Sequence, residues 1–152
     1  MISVVVRASD DAAALARLLT ALVPAAAEGL VRDVLVLGAE GASYEIAEDA
    51  GAMTASDGSL GQVLTRCRGD WIAHLPLSAV LAEGWMNVLE DFLRDAAAPA
   101  RIIGKAGLGL RRRPFGWLAP RRTVLSVAAV EKDLQGLARR LGGRPLRILR
   151  AS

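Results

Sequence analysis

Ile2-Ser3-Val4-Val5-Val6 and Val34-Leu35-Val36-Leu37 bracket a helix-length segment, and this stretch decides the fold. Ile2–Val6 is an apolar run of strand length, rich in β-branched residues, as expected of a strand buried on both faces. Leu15, Leu18, Leu19 and Leu22 then recur at i, i+3, i+4 and i+7, which is one face of a helix. Ser9 or Asp10 is placed to cap that helix, and Pro24 and Gly29 are expected to end it. Val34–Leu37 is a second buried strand. Strand, helix and strand make a βαβ unit, so the two strands should be parallel and the crossover right-handed.

The alternation continues along the chain. Ser43–Ala50 reads as a short helix ended by Gly51, Met53–Ala55 as a small strand, and Ser59–Arg68 as a helix ended by Gly69. Trp71–Leu75 is the next strand. Trp85, Val88, Leu89, Phe92 and Leu93 mark the apolar face of a helix over about 84–95. Beyond Pro99, Arg101–Ile103, Gly107–Leu110, Trp117–Ala119 and Leu146–Leu149 are short candidate strands. Arg111–Gly116 reads as a loop, Thr123–Val130 is ambiguous, and Asp133–Leu141 reads as a helix ended by Gly142-Gly143. Such alternation points to an α/β fold with a mainly parallel sheet.

At 152 residues, 53% of them hydrophobic, the chain is one globular domain rather than a disordered segment. No apolar run approaches the roughly 18 residues of a membrane span. Met1-Ile2 leads straight into a strand, with no basic region ahead of an apolar one, so no signal peptide is read. Cys67 is alone and cannot form an internal disulfide. A reduced, cytosolic setting is expected, with peripheral contact at an inner membrane left open. Charge is unevenly placed: residues 1–100 carry 6 Lys/Arg against 14 Asp/Glu, and residues 101–152 carry 13 against 2. The basic third suits an anion such as phosphate or acidic lipid, or it is a solvated face.

Five segments, in order and spanning most of the chain, resemble family 2 glycosyltransferases of the GT-A fold, and the short bacterial type most. The first is Arg7-Ala8-Ser9-Asp10-Asp11 after the opening strand, where the family has a proline and an acidic pair. The second is Gly38-Ala39-Glu40-Gly41-Ala42-Ser43, where the family has an aspartate that grips the nucleoside, then glycines and a serine. Gly38 stands at the aspartate's place, and Glu40 is two residues beyond. The third is Gly58-Ser59-Leu60-Gly61-Gln62, which echoes a glycine-rich turn opening a helix. The fourth is Arg68-Gly69-Asp70-Trp71 and the apolar strand after it, resumed by Glu83-Gly84-Trp85. The fifth is Glu131-Lys132-Asp133-Leu134, where the family has an acidic pair before a helix.

The resemblance implies a GT-A-like three-layer fold, residues 1–98 as a nucleotide-binding-like half and 99–152 as a basic acceptor-side half. It implies a donor site on Arg7, Ser9, Asp10, Asp11, Gly38, Glu40, Gly61, Gln62, Pro76 and Ser78, with nucleotide sugar or nucleoside diphosphate as ligand. Asp133 or Glu131 would be the general base that deprotonates the acceptor hydroxyl. In the family two acids after the fourth strand hold a divalent metal against the donor diphosphate. By spacing those positions are Pro76 and Ser78, so no metal or other cofactor is expected. His74, two residues upstream, reads as a satisfied core residue.

With family acids absent at Gly38, Pro76 and Ser78, the expected function is a catalytically degenerate relative. It would serve as a binding or regulatory module beside a partner glycosyltransferase or an anionic membrane. The alternative is an active, metal-independent transferase in which Arg111, Arg112, Arg113, Arg121 and Arg122 bind the diphosphate, since arginine forks match phosphate oxygens. Nucleic acid is not expected: Phe115 and Trp117 lie among arginines as stacking residues would, but the acidic first two-thirds would repel a phosphate backbone. The membrane reading predicts binding to anionic vesicles at low salt that fades as salt is added; absence of binding at low salt would remove it.

Overall fold

The computed structural model describes residues 1–56, 58–104 and 116–150. Its strands are β1 (Ile2–Arg7), β2 (Val31–Leu37), β3 (Met53–Ala55), β4 (Trp71–His74), β5 (Ala100–Gly104), β6 (Gly116–Pro120) and β7 (Arg144–Leu149). Its helices are α1 (Ala12–Ala27), α2 (Ala42–Asp49), α3 (Leu60–Leu64), α4 (Trp85–Asp95), α5 (Arg121–Ala128) and α6 (Leu134–Leu141). The strands form one sheet in the order β3-β2-β1-β4-β6-β5-β7. β1 is paired in parallel on both sides, with Val5 opposite Leu35 in β2 and opposite His74 in β4. Among the described strands only β6 runs against its neighbours. The expected α/β fold with a mainly parallel sheet is therefore the observed one.

The sheet is covered on both faces, which is why β1 is buried from Ile2 to Val6 without alternation. On one face Val4, Val6, Ala73, Ile102 and Ile148 pack under the leucines of α1 and under Leu89 and Phe92 of α4. On the other, Val5, Leu35, Ile72 and Trp117 pack under Leu64 of α3, Val124 of α5 and Leu137 of α6. Val88 of α4, expected on its apolar face, is 41% exposed.

Several expected boundaries move, each for a local reason. α1 passes through Pro24 and ends at Ala27. Proline's fixed φ suits a helix, and in the last turn its missing N–H costs only the bond to the Thr20 carbonyl, on an exposed residue that water can serve. Gly29, at φ 80°, makes the stop. The cap is neither Ser9 nor Asp10 but Asp11, whose carboxylate accepts from Ala14 N–H at 2.9 Å. α3 is shorter than expected because its chain tightens into i→i+3 bonds, from Arg66 N–H to Val63 and from Cys67 N–H to Leu64. The ambiguous 123–130 stretch is mostly helix α5, with Val124 and Ala128 buried one turn apart. The expected strand 107–110 lies outside the described residues.

Gly116 lies flat on the His74 carbonyl, so that any Cβ there would overlap that oxygen. This close approach lets β6 take up its register on β4. Gly116→Ala should therefore destabilise the fold by about 1–3 kcal/mol. Gly58→Ala, where a Cβ meets nothing within 4 Å, should be near neutral in the same urea titration.

Candidate functional site

The carboxyl ends of β1, β2, β3 and β4 share one edge of the sheet, and antiparallel β6 begins there. Chain order reverses across β1, with β2 on one side and β4 on the other. In open α/β sheets ligands bind outside the carboxyl ends of the strands at such a reversal. At this edge the loops after β1 and β2 enclose a crevice of about 370 Å³, lined by Ala8, Ser9, Asp10, Ala12, Gly38, Glu40, Ala42 and Ser43.

Both loops are held by the sheet. Ala8 N–H donates to the Leu37 carbonyl and Gly38 N–H to the Ala55 carbonyl, each at 2.8 Å, carrying the ladder past the strand ends. The Ser43 hydroxyl joins the two lips by donating to the Ser9 carbonyl at 3.1 Å. Gly38 has φ 68°, a left-handed conformation that most side chains avoid. The nucleoside-gripping carboxylate of the resemblance is absent there, and Glu40 lines the same crevice.

Of the expected donor-site residues, Ser9, Asp10, Gly38 and Glu40 come together in this crevice. Asp11 faces the helix it caps. Arg7 ends β1 beside it, exposed, and near enough to His74 to act on its charge. Gly61 packs on the carbonyl of Ala128 in α5, and Gln62 is exposed on α3; neither lines the crevice. Pro76 opens a turn closed by Ala79 N–H to the Pro76 carbonyl at 2.9 Å. Ser78, in that turn, lines a different crevice.

The two candidate bases are engaged by α6. Asp133 is its N-cap, accepting from Gly136 N–H at 2.6 Å. Glu131 lies over Gly136 and pairs with Arg140 at 2.7 Å. Arg121 and Arg122 start α5 at the far edge of the sheet, since Pro120 stands opposite Trp71, the first residue of β4. There the Arg121 guanidinium donates to the carbonyls of Cys67 and Thr65, at 2.8 and 3.0 Å, and caps the end of α3. These two arginines cannot serve a diphosphate at the crevice. Arg111, Arg112, Arg113 and Phe115 lie outside the described residues. Trp117 is fully buried and so offers no stacking surface.

His74 is 5% exposed at the end of β4. Its Nδ1–H donates to the Val5 carbonyl at 3.0 Å, and its ring lies 5.8 Å from that of Trp117. Burial first, and the Arg7 charge after it, lower its pKa to about 4, so the imidazole is neutral at neutral pH. Burial also pushes the Cys67 thiol up to about 12, with Asp33 adding to the shift. That thiol is protonated, fully buried and unsuited to nucleophilic chemistry. Ser43 was legible as the serine ending the glycine loop, although its hydroxyl's task was not.

The sheet and its flanking helices match a GT-A-like glycosyltransferase fold. No family model and no curated protein matches the sequence. Among solved structures, glucosyl-3-phosphoglycerate synthase from Mycobacterium tuberculosis with Mn2+, UDP and glucosyl-3-phosphoglycerate is similar. The TM-score is 0.68 at 17% identity, over 100% of this chain and 72% of that one. The same enzyme with UDP matches at 0.68 and 18%, over 100% and 72%. With Mg2+ and UDP it matches at 0.66 and 18%, over 100% and 71%. At such identity the likeness is one of fold.

These structures correct the expectation that no cofactor belongs here: glucosyl-3-phosphoglycerate synthase, similar in fold, holds Mn2+ or Mg2+ together with UDP. Among the described residues no three His, Cys, Asp or Glu side chains gather as a metal site. Pro76 has no side-chain ligand atom, its carbonyl accepts from Ala79 N–H, and Ser78 faces another crevice, so the positions that spacing assigned to the metal hold no carboxylate for one.

A histidine whose folded pKa lies below its usual 6.5 leaves the unfolded chain to take the proton first. Its neutral burial costs nothing above pH 6.5, and stability falls as pH drops from there towards 4. Urea titrations of wild type and His74→Asn should differ in slope across that window, by about 3 kcal/mol in total. Parallel profiles would contradict the assignment.

Proposed function

We propose that this chain is a glycosyltransferase-like binding or regulatory module. It holds a nucleoside diphosphate or nucleotide sugar in the crevice over β1 and β2 and has lost ordinary transferase activity. The observation that carries this reading is the engagement of both acids of the base segment, Glu131 by Arg140 and Asp133 by the first turn of α6. A carboxylate bonded to its own helix cap and another paired with a guanidinium are directed at α6 and not presented to a sugar hydroxyl. The crevice keeps acceptors suited to ribose hydroxyls and base N–H groups in Ser9, Asp10 and Glu40. The neighbours' complexes with UDP and UDP-glucose support the ligand class.

The basic 99–152 region would meet the partner, either a functional glycosyltransferase or an anionic membrane surface. Arg101, Arg122, Arg139 and Arg147 are exposed on it. Among the described residues no helix is long and apolar enough to cross a membrane.

One observation favours an active transferase instead. The Trp117 indole N–H donates to the Leu134 carbonyl at 3.2 Å, and Trp117 stands opposite His74, so the start of α6 is at the crevice edge. Calorimetric titration with a panel of nucleoside diphosphates and nucleotide sugars, with and without Mn2+, separates the readings when paired with an assay for nucleotide release. Binding without turnover is expected. Turnover that Asp133→Asn abolishes would overturn the degenerate reading, and no binding under either condition would overturn the ligand assignment.

A further inference from the structure

A second crevice, of about 280 Å³, lies against α1 and shares no lining residue with the first. Ala14, Arg17 and Ala21, a single stripe of α1, form one wall. Residues 77–81 form the other, and Arg150 closes the rim. That rim is fixed by the backbone. Arg150 N–H donates to the Val80 carbonyl at 2.7 Å and Ala82 N–H to the Ile148 carbonyl at 2.9 Å, around a bridge between Leu81 and Leu149.

The side-chain chemistry is one-sided. Two arginines from opposite ends of the chain line the crevice together with Ser78, and among the described residues no Asp or Glu lines it. α1 carries no acid over 12–27. Some arginines elsewhere are engaged, Arg66 on the Thr54 carbonyl, Arg94 on Asp91, Arg121 on two carbonyls and Arg140 on Glu131, while other exposed ones such as Arg32 and Arg122 are not. Among the described residues the Arg17 and Arg150 side chains have no such partner. Two cations that border one crevice repel, and an oxyanion bound between them reverses the sign of that interaction. Beside them Ala14, Ala21, Leu77, Leu81 and the 54% exposed Val80 give an apolar surface larger than a bare ion needs.

We infer that this crevice is a phosphate site. Arg17 and Arg150 fork the phosphate oxygens, Ser78 donates to one of them, and the apolar wall takes the body of a small phosphate ester. The inference does not depend on nucleotide binding in the first crevice.

Titration calorimetry at low salt with inorganic phosphate and with butyl phosphate tests it. Both should bind, the ester more tightly. Arg17→Gln and Arg150→Gln should each weaken binding about tenfold. The double variant should abolish it, whereas Arg32→Gln, an exposed arginine that does not line the crevice, should change nothing. Both targeted arginines are exposed, and unchanged thermal melts would show that the variants fold. No binding of either probe, or binding unaltered in the double variant, overturns the site. Inorganic phosphate binding as tightly as the ester overturns the role of the apolar wall and leaves free phosphate as the ligand.

Discussion

His74 gives its Nδ1–H to the Val5 carbonyl and lays its ring against Trp117, whose indole N–H holds the Leu134 carbonyl. Through these contacts β1, β4, β6 and the start of α6 meet at one edge of the sheet. The Gly116 backbone, flat on the His74 carbonyl, permits the approach. The arrangement requires a neutral imidazole in a buried place, since a charged one would lose its solvation without gaining a carboxylate. The crevice over β1 and β2 sits on the same edge, so its shape depends on the β1 register that these contacts fix.

What that edge lacks is as informative as what it holds. Gly38 keeps the left-handed turn after β2 and brings no side chain. Glu131 and Asp133 stand at the right segment and serve α6. A cap contributes about 1 kcal/mol to a helix. It is a local role, which accounts for a carboxylate at that position without any part in chemistry. The Mn2+ and Mg2+ complexes of similar structures mark the chemistry this fold supports elsewhere. The second crevice has the opposite character, bordered by two arginines and, among the described residues, by no Asp or Glu.

The βαβ entrance was legible because burial on both faces leaves an unbroken apolar run and the helix repeat is strict. The crevice was legible in part, through the glycines after β2 and the polar residues after β1. Long-range partners were not. Nothing near Arg121 in sequence announces that its guanidinium closes α3 from 54 and 56 residues away. Nor does spacing show that Ser78 turns towards α1, because the tie between residues 80–82 and the end of β7 is tertiary. The cap on α1 moved from Ser9 or Asp10 to Asp11 because several adjacent residues can all cap, and backbone geometry chooses among them.

A crystal structure with UDP and Mn2+ bound tests the central claim most directly. The account predicts the nucleotide between the Ser9–Asp10 and Gly38–Ser43 loops, with Glu131 still on Arg140 and Asp133 still capping α6. Nucleotide bound elsewhere, or either acid released to face the diphosphate end of the ligand, would contradict it.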